Sequence, residues 1–261
     1  MPNVIFGINP IIEALKSPHP PEKVFIVHGA KGNGLKEVIN LATARRVLFE
    51  QVGRLRFAQL GGDRQAQGVA ALISDFTYSE PEDILSVAGE RKEPPFIALL
   101  DNIEDPRNFG AIIRSAECSG VHGLIIPKHR TVGMTDTVAS TSAGAMAHMA
   151  ISRVTNLVNT IDTLKKAGVW IVGADHEGDQ LIYEADLTGP IGIVLGNEGK
   201  GMRRLVKQKC DFLVRIPMRG QVNSLNVSVA AGILFYEIIR QRGNQHNAQD
   251  TPAEVQVEEE N

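Results

Sequence analysis

The stretch Phe96-Ile97-Ala98-Leu99-Leu100-Asp101-Asn102-Ile103-Glu104-Asp105-Pro106-Arg107-Asn108-Phe109-Gly110, running on into Ala111-Ile112-Ile113-Arg114-Ser115, decides the fold. Five apolar residues read as a buried strand, the polar residues after them as a loop, and the rest as a helix. Asp105 followed by Pro106 makes a good N-cap and first-turn pair. The same alternation recurs downstream. Strands are expected at 123–126, 169–172, 191–195 and 212–216, and helices at 109–119, 138–146, 156–167 and 225–240. That order argues for an α/β domain over 96–242, with a mostly parallel sheet and helices on both faces. Ligands of such sheets gather at the carboxyl ends of strands, so the loops there are the candidate site.

Two later segments repeat the design. Ile193-Val194-Leu195-Gly196-Asn197-Glu198-Gly199-Lys200-Gly201-Met202 places three glycines in six residues, which lets a ligand approach the backbone closely. No Gly-Lys is followed by Ser or Thr at the Walker A spacing, and there is no Gly-x-Gly-x-x-Gly, so neither a phosphate loop nor a dinucleotide fingerprint is present. Glu198 reads either as an acid complementing the start of a helix at Arg203-Arg204-Leu205 or as a functional carboxylate. The third segment is Ile216-Pro217-Met218, followed after a polar loop by Ser224-Leu225-Asn226-Val227-Ser228-Val229-Ala230. Ser224 reads as an N-cap, with Asn226 and Ser228 inside the first turns of an apolar helix. In the first segment, Arg114 sits among apolar helical neighbours and calls for an anion or a backbone partner.

Outside this region, residues 1–75 read as a small α/β domain. A helix is expected from Pro10 to Leu15, a strand at Val24–Val27, a helix at Leu35–Ala44 and a strand at Gly68–Ile73. Five arginines there (Arg45, Arg46, Arg54, Arg56 and Arg64) form either a solvated face or a phosphate-binding one. Residues 76–95, with their prolines and charges, read as a linker. The last 19 residues, 243–261, hold five acids and no Lys or Arg, and read as a disordered acidic tail. The net charge of −3 comes from that tail, since without it 27 basic residues face 25 acidic ones. No strongly basic field is left, though local basic patches are allowed. A hydrophobic share of 43% and a charged share of 22% are those of a soluble globular chain. No apolar run approaches the ~18 residues of a membrane span. The start has no basic segment followed by an apolar one, so a cytoplasmic location is expected. Cys118 and Cys210 sit in no metal spacing and read as reduced thiols, and no metal is expected.

Taken together, the three segments closely resemble the three motifs of the SpoU (TrmH-like) family of RNA ribose 2′-O-methyltransferases, in the family's order. The resemblance rests on Asp105-Pro106-Arg107-Asn108-Phe109-Gly110 with Arg114, on Gly196-Asn197-Glu198-Gly199-Lys200-Gly201, and on Ile216-Pro217-Met218 with Ser224 to Ala230. Including Phe6-Gly7-Ile8-Asn9-Pro10, the whole chain looks like the members that methylate a guanosine of bacterial 23S rRNA. The resemblance implies S-adenosyl-L-methionine held in a carboxy-terminal trefoil knot by Leu195, Gly196, Ile216, Met218 and Leu225. It implies Arg114, Asn108, Glu198 and Asn226 as catalytic residues. It also implies a homodimer whose site borrows residues across the interface, and an amino-terminal, ribosomal-protein-like RNA-binding unit. Asn102, Asn197 and Asn223 fall where family members vary and are candidates for tuning the substrate. Two alternatives stay open: the same transfer to tRNA or to an rRNA adenosine, and a non-catalytic RNA-binding or ribosome-assembly factor.

Overall fold

The computed structural model describes residues 3–17, 20–61, 67–73 and 76–249. The first unit is a mixed sheet of β1 (Asn3–Phe6), β2 (Lys23–Val27), β3 (Leu48–Val52) and β4 (Val69–Ile73), in the order β1-β4-β2-β3. It carries helices α1 (Ile8–Lys16), α2 (Asn33–Ala44) and α3 (Arg54–Gln59). Strand periodicity separates its two faces. Val24 and Ile26 of β2 pack with Ile11, Leu15, Leu35 and Val38 of α1 and α2, while Phe25 packs with Val4, Val52 and Phe57 on the other side.

The second unit is a seven-stranded sheet of β5 (Phe96–Leu100), β6 (Gly123–Pro127), β7 (Ala150–Val154), β8 (Trp170–Ala174), β9 (Gln180–Leu181), β10 (Ile191–Leu195) and β11 (Phe212–Arg215). Every neighbouring pair is parallel, in the order β7-β6-β5-β10-β8-β11-β9. Every residue of β5, β6 and β10 is buried, as strands covered on both faces require. Helices α5 (Pro106–Cys118), α6 (Asp136–Thr141) and α9 (Val227–Gln249) cover one face; α4 (Pro81–Arg91), α7 (Leu157–Lys166) and α8 (Arg204–Lys209) cover the other. Gly110 makes the α5–α6 contact possible. A Cβ there would lie 2.7 Å from Thr141 Cβ and 2.9 Å from the Val138 carbonyl oxygen.

The two units share one core. Ile5 and Ile11 of the first pack in the same cluster as Ala139, Met146 and Met149 of the second. His148 Nε2 lies 3.3 Å from Glu13 Oε2 across the junction, and Ser79 bridges in parallel to Ser152 of β7.

Several expectations need correction. The stretch read as a linker contains α4, whose Ile84 and Ala88 are buried against the sheet. Its apolar positions are too few to stand out in sequence, yet two suffice for an 11-residue helix with a capping box at Glu80 and Asp83. The helix expected over 138–146 breaks into α6 and a short 3-10 turn at Ala145–Ala147, where Gly144 takes φ +97°. The final helix starts at Val227 and continues to Gln249, so it enters the segment read as a disordered tail. Residues 250–261, and Arg64 of the arginine cluster, lie outside the described residues. Strands β1, β3, β7 and β9 and helix α3 have no counterpart among the expected elements, while α8 starts where a helix is expected, at Arg203-Arg204-Leu205.

Candidate active site

Three strand ends carry the site. Asp105, after β5, caps α5 by accepting from the backbone N–H of Arg107 at 2.7 Å and of Asn108 at 3.4 Å. The cap fixes Asn108 in the first turn of α5. Glu198 follows β10. Asn226 follows β11 and is the actual N-cap of α9: its Oδ1 accepts from Ser228 N at 2.9 Å, Val229 N at 3.4 Å and Ser228 Oγ at 2.6 Å. Ser224 stands two residues earlier, in the loop, and the cap position expected for it is corrected to Asn226.

These side chains close on one another. Asn226 Nδ2 donates to Asn108 Oδ1 at 3.0 Å and to Glu198 Oε1 at 2.9 Å, and Asn108 Nδ2 also donates to Glu198 Oε1. Glu198 is therefore turned into this network and away from the start of α8. Its second oxygen, Oε2, has no partner among the described residues. Arg114 is not brought to the network. It is exposed on α5 with no hydrogen bond or ion pair among the described residues, and the local partner expected for it is absent there.

The loop bearing Glu198 is rigidly built. A Cβ on Gly196 would lie 2.3 Å from Gly201 C and from Met202 N, so only glycine admits the backbone that folds over it. Asn197 and Gly201 exchange backbone hydrogen bonds at 3.1 and 2.8 Å. Asn197 Oδ1 accepts from Gly199 N and Lys200 N, and its Nδ2 donates to the Asn102 carbonyl at 3.0 Å. Asn197 thus organises the loop, where the sequence suggests a substrate-tuning residue. Beneath it, fully buried Asp101 accepts from Arg203 N and Arg203 Nε, each at 2.7 Å. Sequence reasoning misses this pair, although a signal exists: an acid directly after a buried strand needs a cation or several donors.

Beside the network lies a cavity of about 390 Å³. All five residues expected to hold the cofactor (Leu195, Gly196, Ile216, Met218 and Leu225) line it, as does Glu198. Val214 and Leu234 extend its apolar wall. The end of β8 adds Asp175, His176 and Glu177, and α8 adds Lys207, none of them anticipated. Lys207 Nζ stands 3.0 Å from Asp175 Oδ2 and 2.9 Å from Glu177 Oε2. Burial pushes the Asp175 carboxyl up, but the Glu177 N–H and Lys207 outweigh it and hold it below the ordinary range. A loop directly after a parallel strand is the clue to these residues.

A volume of this size with apolar walls and a few convergent polar groups fits a nucleoside-sized ligand. Residues 196–201 line the cavity on one side. Fold and site together define an α/β enzyme with a nucleoside-sized site at the carboxyl ends of its parallel strands. The profile of the SpoU rRNA Methylase family matches residues 95–236, and that of an RNA 2′-O ribose methyltransferase substrate-binding domain matches residues 4–79. A Bacillus subtilis protein named as a TrmH-family tRNA/rRNA methyltransferase, YacO, is 43% identical over 91% of this chain and 95% of its own. The crystal structure of the SpoU methyltransferase AviRb from Streptomyces viridochromogenes, in complex with S-adenosylmethionine, superposes with a TM-score of 0.79 at 25% identity, over 92% of this chain and 90% of that one. An S-adenosylmethionine-bound rRNA methyltransferase from Sinorhizobium meliloti shares the fold, with a TM-score of 0.75 at 24% identity over 91% and 87% of the two chains. The chain belongs to the SpoU family of RNA 2′-O-ribose methyltransferases. Among the described residues no helix is long and apolar enough to cross a membrane, and no His, Cys, Asp and Glu side chains gather as a metal site.

Proposed function

We propose that this enzyme methylates the ribose 2′-hydroxyl of one guanosine in 23S rRNA, as a homodimer. The observation that carries the rRNA reading is the amino-terminal unit, docked through a shared core on the catalytic unit. The same two-unit architecture spans the Sinorhizobium rRNA methyltransferase. The assay is direct: purified 23S rRNA and tRNA are incubated with labelled cofactor and the 2′-O-methyls are mapped. Label in one 23S guanosine is expected. Label confined to tRNA or to an adenosine would move the assignment, and none in any RNA would leave a non-catalytic binding factor.

The cofactor supplies an electrophilic methyl on a sulfonium. Leu195, Gly196, Ile216, Met218 and Leu225 hold it, and the loops 196–203 and 216–226 are the ones that the family's trefoil knot would use. Glu198 Oε2 takes the proton of the 2′-hydroxyl, while Asn108 and Asn226 fix the carboxylate through Oε1. Holding the attacking oxygen in line is worth up to ~7–11 kcal/mol in favourable cases. Arg114 is effectively always protonated, so its part is to clamp the target phosphate and stabilise the developing alkoxide.

The dimer supplies Arg114. It lies six positions beyond Asn108, about 9 Å along the helix and on another side of it. A second copy therefore brings the guanidinium to this chain's network. Exposed Val229 (51%) and Tyr236 (55%) form an apolar stripe on α9, which packs beside α5. Leu234 and Ile238 of the same helix are core residues and face the sheet.

A further inference from the structure

In an all-parallel sheet every strand ends on the same edge, so strand order is also the order of the loops along that edge. The cofactor cavity lies over the ends of β8, β10 and β11. The hydrogen-bonded network stands at the seam, since Asn108 follows β5 and Glu198 follows β10. The ends of β6 and β7 are the part of the edge that the cavity leaves open. With ~4.8 Å between strands, the end of β6 is about 10 Å from that of β10. The phosphates of the adjoining nucleotides, on either side of a ribose held at Glu198, reach that far.

We propose that the loops after β6 and β7 form the track along which the RNA backbone reaches the active site, with Lys128, Arg130 and Arg153 as its phosphate contacts. The proposal rests on the methyltransferase reading and deepens it. Lys128-His129-Arg130 directly follow β6 and are exposed, and the side chains of Lys128 and Arg130 have no partner among the described residues. The loop is held in place from both sides. Val132 N donates to the Ile103 carbonyl at 3.1 Å, tying it to the loop that leads to Asn108. Arg153 Nη2 donates to the Lys128 carbonyl at 3.0 Å, and its guanidinium lies over the Tyr78 ring, 5.5 Å from the centroid. Arg130 takes φ +60°, a conformation uncommon for a side chain of its size and kept only where surroundings enforce it.

The track is continuous with the substrate-binding unit. Tyr78 and Ser79 end the segment matched to that unit, and Ser79 bridges to Ser152 beside Arg153. From Tyr78 the cations run Arg153, Lys128, Arg130 and then Arg107, next to Asn108. The acids of these loops are Glu104, Asp105 and Asp136, and Asp105 is occupied in capping α5. The surplus is positive, and its line ends at the network, as a polyanion threading past the site requires.

The test uses the full-length chain and a 23S rRNA fragment. K128A/R130A should shallow the log–log salt dependence of binding by about 1.5, at ~0.7–0.9 for each phosphate no longer neutralised. It should raise the KM for RNA, leave kcat at saturating RNA in place and leave cofactor affinity by calorimetry unchanged. K166A, at the far end of α7 on the opposite edge of the sheet, removes a charge as well and should behave as wild type. A K128A/R130A salt slope matching that of K166A overturns the track. So does a loss of cofactor affinity in K128A/R130A, which would put the loop in the cofactor site. If the wild-type chain itself transfers no methyl to RNA, the methyltransferase reading falls and the track with it.

Discussion

Asn108, Glu198 and Asn226 come from three different strand ends and close into one hydrogen-bonded network, whereas Arg114, on the same helix as Asn108, stands in solvent with no partner among the described residues. The contrast separates two kinds of group in the proposed mechanism. The network is part of the fold: Asn226 also caps α9, and Glu198 rides on a loop anchored by the ion pair of buried Asp101 with Arg203. Arg114 contributes nothing to this chain's own packing. Substitutions in the first group should cost stability together with activity, and substitutions in the second should cost activity alone.

The largest effect should come from the anchor. Asp101→Ala leaves Arg203 without its carboxylate at the base of the 196–203 loop. The charge left behind, on Arg203, is 40% exposed and stays hydrated, so the cost is that of the charged hydrogen bonds lost, about 2 kcal/mol. Denaturant unfolding should show that loss, and calorimetry should show cofactor binding abolished with it. A variant that unfolds at the wild-type midpoint and still binds cofactor would mean that the loop holds itself.

Arg114→Ala should be the opposite case. Unfolding should move by no more than ~0.5 kcal/mol, as for an exposed residue that touches nothing, while methyl transfer falls at least ~10²-fold. Lysine should not restore it fully, because a point charge lacks the guanidinium fork. Mixing Arg114→Ala chains with Glu198→Ala chains then asks where the arginine acts. Random exchange makes half the dimers mixed, each with one complete site, so about a quarter of wild-type activity should return. No recovery on mixing would put Arg114 and Glu198 to work within one chain.

Asn226→Ala sits between these extremes. It removes an N-cap, worth ~1 kcal/mol, together with the donor that holds Glu198 Oε1. Unfolding should register the cap, and turnover should fall with cofactor affinity retained. Asn226→Asp keeps the cap acceptor but loses both donations. Its second oxygen then faces Glu198 Oε1 and Asn108 Oδ1, acceptors both, so the cap's stability should return only in part and the rate not at all, a split that a purely structural Asn226 would not show.

What sequence can and cannot foresee follows the same division. Strands β5 and β10 are legible to the residue because strands buried on both faces read as unbroken apolar runs. The five residues that the family's motifs assign to the cofactor all line the cavity. The spacing of Asn108, Glu198 and Asn226 along the chain says nothing of their meeting, which depends on β10 inserting between β5 and β8. Apolar neighbours single out Arg114 in the sequence, but the partner they call for is not nearby, because periodicity sees helix neighbours and not which face is left open. Helix α4 is hidden by its charges and by the prolines at its start and just beyond its end, and β7 by its mixed composition, although both become ordinary once a sheet is present to pack against.

The gentlest perturbation needs no mutation. Cys118 lies four residues beyond Arg114 on α5, so both share one exposed face of the helix. Cys210, the other thiol, is half-buried, and burial pushes it up to about 12. A thiol raised that far carries almost no thiolate at neutral pH and is correspondingly inert. A limiting amount of a small alkylating reagent near pH 8 should therefore mark Cys118 alone, which peptide mass mapping would check. If the Arg114 face of α5 meets a second copy, the label sits at or beside the contact. Alkylated protein should then bind cofactor as before, dissociate at higher concentration in light scattering, and lose turnover a few-fold. A bulkier maleimide should deepen both losses. Labelled protein that dimerises and turns over normally would place the interface away from this face of α5, and Arg114 would have to meet the RNA within its own chain.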